Sequence, residues 1–183
     1  MRTGLVEQAQ QGNADAFDAL VELDLERCLG IAYRITRDHA VAEDAVQQAY
    51  ILAWREIPRL RDRDRYEVWL HRLVVTACYK ELRRLRGWRE RIVPLTLDGA
   101  GPTQDAIGAV DDREALDRAF ARLSPDRRTI FVLHHHAGLP LAQVAEILGL
   151  PLGTVKSRLH YTVDILRAAL VADARVKETG ARA

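Results

Sequence analysis

The stretch Leu139–Leu166, LPLAQVAEILGLPLGTVKSRLHYTVDIL, decides the fold. On a helical template Leu141, Val144, Ala145 and Leu148 share one face. Gly149 interrupts the pattern where a helix C-terminus wants a residue that tolerates positive φ. Pro151 follows, suited to the first turn of a new helix. In that helix Val155, Leu159, Val163 and Leu166 recur at spacings of four, four and three, which makes one apolar stripe. Two helices so closely joined must cross steeply, as in a helix-turn-helix. The second presents Thr154, Lys156, Ser157, Arg158, His160 and Tyr161 away from the stripe. Donors, acceptors and positive charge on such a face suit phosphates and base edges in a major groove. A helical hairpin within some larger helical protein fits the same pattern.

Outward from this stretch, the 183 residues allow one domain or two small ones. A hydrophobic content of 48% is ample for a core, and the net charge of +1 means that any basic surface is local and balanced by acid elsewhere. Cys28 and Cys78 have apolar neighbours and no CxxC spacing, so they read as reduced, buried thiols rather than a disulfide framework. No apolar run approaches the roughly 18 residues of a membrane span, and MRTGLVEQAQQ is no signal peptide. The expectation is a soluble, cytoplasmic protein without membrane insertion.

From Gly12 the chain turns helical. Phe17, Leu20, Val21, Leu25, Cys28, Leu29, Ala32 and Ile35 keep helical spacing, and no strand-like alternation competes. A turn at Asp38 or His39 leads to a helix from about Val41 to Ile57, stopped by Pro58. Its apolar face carries Val41, Ala45, Val46, Ala49 and Ala53, widened by Leu52 and Trp54; Glu43, Asp44, Gln47, Gln48 and Glu56 lie opposite, a face that solvation alone would explain. RLRDRDRY, residues 59–66, has little to bury and reads as an exposed loop. In the next helix Trp69, Leu70, Leu73, Val74, Ala77 and Leu82 are placed to face a core.

Residues 80–91 then hold Lys80, Arg83, Arg84, Arg86, Arg89 and Arg91 against Glu81 and Glu90, with Trp88 among them. Basic charge with an aromatic interleaved suits a nucleic-acid backbone. A solvated basic helix end, favoured by the helix dipole, fits equally. Residues 92–110 carry Pro94, Gly99, Gly101, Pro102 and Gly108 and no sustained period. They read as a linker that spans on the order of 60 Å when extended, at roughly 3.3 Å per residue. Beyond it Ala115, Leu116, Ala119, Phe120 and Leu123 share a helix face, and Ser124-Pro125 is a helix start, with serine capping and proline first. The tail from Val171 to Ala183 is mixed in charge and is expected to fray.

His134-His135-His136 does not read as a metal site, because adjacent helical residues point about 100° apart and cannot converge on one ion. There is no HExxH, glycine-rich phosphate loop, GxSxG or CxxC, and the acids are not paired with a base. Neither catalysis nor a cofactor or metal is expected.

With both halves read, the order of elements resembles the extracytoplasmic-function (ECF) sigma factors of bacterial RNA polymerase, of the sigma-70 superfamily. The motifs are DHAVAEDAVQQAYILAWREIPRL (38–60), YEVWLHRLVVTACYKELRR (66–84) and ARLSPDRRTIFVLHHHAGLPLAQVAEILGLPLGTVKSRLH (121–160). The resemblance covers about residues 5 to 170, and AEDxxQ, WLxR and GTVKSRL in this order are specific together. It implies an all-α fold: a sigma region 2 bundle at 1–91, a linker at 92–110, a sigma region 4 helix-turn-helix at 111–172 and a tail at 173–183. It also implies an alternative sigma factor, not itself an enzyme, that brings polymerase core to specific promoters and aids melting. Glu43, Asp44 and Gln47 would dock on the beta-prime clamp coiled coil, and region 4 would meet the beta flap. Arg61, Arg63, Arg65, Tyr66, Trp69, Arg72, Thr76, Lys80, Arg83 and Arg84 would serve the minus-ten element, where a base is flipped from the stack at a cost of a few kcal/mol. Lys156, Ser157, His160 and Tyr161 would read the minus-thirty-five element, with Thr154 and Arg158 on phosphates. An anti-sigma factor is a further implied partner.

The chain departs from the family pattern at three places. Thr76 stands where many relatives carry asparagine, Pro140, Ala142 and Gln143 replace a serine and paired acids, and Tyr161 replaces a common arginine. Two other classes share some of these features. A conventional helix-turn-helix regulator would bind its operator without polymerase, and a helical adaptor would bind protein alone.

Overall fold

The computed structural model describes residues 2–92 and 112–180, and all regular structure among them is helical. The expected linker lies almost wholly outside the described residues, as do the side chains of Arg86, Trp88, Arg89 and Arg91. Eight α-helices are described: α1 (Arg2–Gln10), α2 (Ala14–Thr36), α3 (His39–Glu56), α4 (Tyr66–Ile92), α5 (Asp112–Arg122), α6 (Pro125–Phe131), α7 (Leu141–Leu148) and α8 (Leu152–Gly180). Short 3-10 turns occupy Ile57–Arg59 and Arg63–Arg65, and a π turn occupies Val132–His136.

Local chemistry sets the helix ends. The Asn13 side chain accepts from the Ala16 amide at 3.1 Å, and that of Asp38 from the Val41 amide at 3.1 Å, each satisfying a donor that the first helical turn leaves free. Helix α2 closes at Arg37, which takes φ 62°, the one positive-φ residue other than glycine among those described. Ser124 caps α6 with Pro125 in first place, and Pro140 opens α7 without a side-chain cap, both as the residue types require. Gly149 ends α7 at φ 64°, as expected of a left-handed C-terminal residue.

Three stretches differ from the sequence reading. Helix α1 was not anticipated; Val6 and Ala9, one helical turn apart, bury themselves against α2. Helix α8 runs on to Gly180 where fraying was expected from Val171, since AlaAspAlaArgValLysGluThr contains mostly good helix formers. Leu25, Leu52 and Trp54, assigned to core faces, are 39–40% exposed, while Tyr50 is buried. Four consecutive apolar residues, Ile51 to Trp54, span more arc of α3 than its neighbours can cover.

Helices α1–α4 form one bundle and α5–α8 a second, and their cores are continuous. Helix α2 packs on α6 and the π turn, and α4 packs on α7. Between the bundles Arg128, 7% exposed, donates to the Ile35 carbonyl at 2.7 Å and to those of Ala121 and Leu123 at 3.0 and 2.9 Å. Those carbonyls lie at the C-terminal ends of α2 and α5, the negative poles of their dipoles, so a cation without a carboxylate is stabilised there. Burial, with Arg37 nearby, pushes the Arg128 guanidinium down to about 10, so it stays charged at neutral pH.

A second buried polar group sits in the first bundle. His71 is 1% exposed, and burial, aided by Arg27, pushes its imidazole down to about 4. The folded state therefore takes up a proton later than the unfolded one, and stability falls as pH drops from about 6.5 towards 4. Asp24, raised by burial, acts in the opposite sense at its own carboxyl.

Two stability predictions follow from these groups. Arg128→Met should lower the unfolding free energy by about 3 kcal/mol, because three carbonyls lose a charged donor; urea titration measures it. In His71→Leu the loss of stability between pH 6.5 and 4 should be smaller than in the wild type by about 2–3 kcal/mol, read from unfolding midpoints across that range.

Candidate nucleic-acid and polymerase interface

Helix α4 carries Trp69, Arg72, Thr76, Lys80 and Arg83 at spacings of three, four, four and three, so all five lie on one helical face. Trp69 is half-buried and the other four are exposed. Opposite them Leu70, Val74 and Cys78 are buried in the bundle, which holds the strip outward. The Thr76 hydroxyl donates to the Arg72 carbonyl at 2.7 Å, leaving its oxygen and methyl at the surface. The strip combines cations, a hydroxyl and an indole, the means to hold phosphates and to stack on a base.

The loop before α4 is less free than its sequence implied. Arg63 is held by Gln10 at 2.7 Å and by Glu7 at 3.0 Å, both on α1. Arg65 pairs with Glu146 on α7. Arg61 remains exposed. Tyr66 does not join the surface: it is 1% exposed, and its hydroxyl is buried without a hydrogen-bond partner. The exposed loop it closes made it look accessible, but it starts α4 with its ring directed to the core.

On α3, Glu43, Asp44 and Gln47 are exposed together. The Asp44 carboxylate lies 3.7 Å from the Arg84 guanidinium, so the acidic face of α3 and the basic side of α4 adjoin. Arg84 also pairs with Glu81 at 2.7 Å. Beside the acids runs an apolar groove lined by Phe17, Leu25, Leu29, Val46, Ile51 and Trp54, together with Glu43 and Gln47. Leu25, Ile51 and Trp54 are its exposed apolar members and were missed as surface residues. The excess of apolar residues on α3 was the available signal.

In the second bundle Val155, Leu159 and Leu166 are buried and Val163 half-buried, as the stripe required. Lys156, Ser157, His160 and Tyr161 are exposed; Thr154 and Arg158 are half-buried. Arg158 lies 3.8 Å from Asp126, and Arg127 sits 4.5 Å from the Tyr161 ring centroid, a cation over the face that replaces the family's arginine. His160 lies 3.4 Å from Asp164. The three consecutive histidines diverge: His134 Nδ1 is 2.8 Å from the Leu139 carbonyl, His135 lies against Phe131, and His136 faces Gly30. Burial, with His134, Arg34 and Arg27 nearby, lowers the pKa values of His135 and His136. No group of residues suited to a metal occurs among those described. No helix there is long and apolar enough to cross a membrane.

The family description "Sigma-70 region 2" matches residues 20–89, and "Sigma-70, region 4" matches residues 113–161. The chain is 36% identical over 143 residues to the ECF RNA polymerase sigma factor SigL of Mycobacterium tuberculosis, covering 76% of this chain and 80% of that one. It is 26% identical over 177 residues to SigW of Bacillus subtilis, covering 90% and 94%. In fold it is similar to the sigma factor RpoE in complex with the anti-sigma factor NepR from Bartonella quintana (TM-score 0.69, 23% identity, 86% and 98% covered). It is likewise similar to CnrH in complex with the cytosolic domain of CnrY (TM-score 0.68, 23% identity, 94% and 98% covered). The chain belongs to the sigma-70 family, in its ECF group, and is an alternative sigma factor for promoter-specific transcription initiation.

The geometry separates core from surface among the expected site residues. Tyr66→Phe should leave DNA affinity unchanged and stability within about 0.5 kcal/mol, since it deletes an unpartnered buried hydroxyl. Lys80→Ala should weaken DNA binding and lower the slope of log affinity against log salt by about one. Fluorescence titrations at several salt concentrations distinguish the two.

Proposed function

We propose that the two bundles divide the work of a promoter-specificity subunit, residues 1–91 serving polymerase and the minus-ten element and residues 111–172 the minus-thirty-five element. The observation that carries this reading is the α4 strip from Trp69 to Arg83, adjoining the acidic face of α3 through Asp44 and Arg84. A conventional helix-turn-helix regulator needs no second DNA-facing strip, still less one joined to an acidic protein-binding face. Glu43, Asp44 and Gln47 supply charge and hydrogen bonds to the beta-prime clamp coiled coil, and the groove at Leu25, Ile51 and Trp54 supplies apolar area beside them.

Arg72, Thr76, Lys80 and Arg83, with Arg61, Arg65 and Arg84 around them, hold the minus-ten strand, and Trp69 offers a stacking face. Lys156, Ser157, His160 and Tyr161 enter the major groove at the minus-thirty-five element, with Thr154 and Arg158 towards phosphates. The beta flap is the partner of the second bundle. The protein acts without chemistry of its own, by binding polymerase and lowering the cost of melting. It works in the cytoplasm, where polymerase is, and an anti-sigma factor is a fitting regulator, as in the complexes of RpoE with NepR and CnrH with CnrY.

Run-off transcription on a genomic promoter library, with core polymerase and with or without this protein, tests the reading. Specific starts should require the protein and fall about tenfold or more in Asp44→Ala/Gln47→Ala, a loss of the size expected at an interface hot spot. Tight duplex binding without polymerase, and no starts with it, would replace this reading by the conventional regulator.

A further inference from the structure

The face of α8 offered to DNA is short of uncompensated cations. Lys156, Ser157, His160 and Tyr161 are exposed on it, and of these four only Lys156 carries a fixed positive charge. His160 lies 3.4 Å from the Asp164 carboxylate, and the half-buried Arg158 lies 3.8 Å from Asp126. A duplex carries one negative charge per roughly 1.7 Å of its axis, so a surface that binds it gains from each cation that no acid offsets. One more such cation stands beside this face, and it comes from another helix.

That cation is Arg127, in the first turn of α6. Pro125 opens the helix and the Ser124 side chain accepts from the Arg127 amide at 3.5 Å, so the arginine leaves a pinned backbone. Helix α6 packs on α8, and its first turn meets α8 at two points. Asp126 reaches Arg158, and Arg127 reaches Tyr161, one helical turn farther along α8. The guanidinium carbon of Arg127 is 4.5 Å from the centroid of the Tyr161 ring, and that residue is 54% exposed. Among the described residues no carboxylate pairs with Arg127.

The kind of partner decides what the cation can still do. A carboxylate would neutralise the guanidinium and take up its N–H groups. A ring face attracts the charge through its quadrupole and leaves the five N–H donors to bond elsewhere. The contact also fixes a long side chain beforehand, so less freedom is lost when it meets a ligand. In a helix-turn-helix the second helix enters the major groove, and α6 precedes both helices of the motif. A donor that starts from α6 and ends beside Tyr161 is placed for the groove edge, where phosphates lie, rather than for base edges at its floor.

We propose that Arg127 is a further DNA-binding residue of the minus-thirty-five surface, positioned by the Tyr161 ring so that its guanidinium meets a backbone phosphate at the edge of the groove. Helix α6 thereby supplies the positive charge that the neutral ring at position 161 lacks. The inference rests on the two-element reading above and adds to it a contact from outside the recognition helix.

The test uses the full-length protein with core polymerase on promoter duplexes that the wild type selects from the library. Arg127→Ala should weaken promoter binding about tenfold, the size of a hydrogen bond to a charged group. The loss should be nearly equal at every minus-thirty-five sequence, and the slope of log affinity against log salt should fall by about one. Arg127→Lys, which keeps the charge, should keep the slope. Methylphosphonates placed one at a time across the element neutralise single phosphates. One of them should cost the wild type about tenfold and cost Arg127→Ala nothing further. With the ring removed in Tyr161→Leu, the added change Arg127→Ala should cost about threefold or less, because the two side chains act as a pair.

Unchanged binding by Arg127→Ala would overturn the proposal, as would a loss confined to particular base sequences. A merely structural arginine would weaken binding without masking any phosphate, and that result too would overturn it. If scrambling the minus-thirty-five element leaves wild-type binding unchanged, the two-element reading itself fails, an outcome seen before any variant is compared.

Discussion

A single buried cation organises the junction of the two bundles. The terminal nitrogens of Arg128 donate to carbonyl oxygens at the C-terminal ends of α2 and α5, and among the described residues no carboxylate pairs with it. Such a charge persists in the interior only while those carbonyls remain in place, because an ion stripped of donors and acceptors costs several kcal/mol. Its geometry therefore demands that α2 end at Thr36, that α5 end at Arg122 and that α6 bring the guanidinium between them. The left-handed residue Arg37, which turns the chain away from α2, helps keep the Ile35 carbonyl open to it. Helix α2 packs on α6 at this junction.

The polar surfaces follow from the same packing. Because Leu70, Val74 and Cys78 are anchored in the first bundle, the opposite face of α4 must carry its cations outward in one strip. The acidic face of α3 is set beside it by the close packing of α3 on α4, and the Asp44–Arg84 contact marks where they meet. A near-neutral chain can in this way bear an acidic surface and a basic surface side by side, each strong locally.

What was legible beforehand was whatever depends on neighbours in sequence. The turn at Gly149, the serine-proline start at Ser124 and the apolar stripe from Val155 to Leu166 are all present, because each is decided within one or two helical turns. The motif order carried the family. What failed was the assignment of burial at Leu25, Leu52, Trp54 and Tyr66. Periodicity reports which residues share a face; it does not report whether another helix covers that face. Helix α1 was overlooked because a short polar helix carries a weak pattern, and only its docking on α2 makes it stable.

The sequence by itself determined an all-α chain, the helix-turn-helix, the placement of Lys156, Ser157, His160 and Tyr161 away from the core and membership of the ECF sigma factors. These properties arise from helical period, capping residues and motif spacing, which are local and additive. Only the tertiary structure decided that Arg128 is buried between two helix ends, that Tyr66 belongs to the core and that Arg65 meets Glu146 across 81 residues. An arginine in a helix reads as solvated until the partner carbonyls are known, and no local pattern encodes which surfaces of two bundles come together. That choice is made by shape and by long-range contacts between distant parts of the chain.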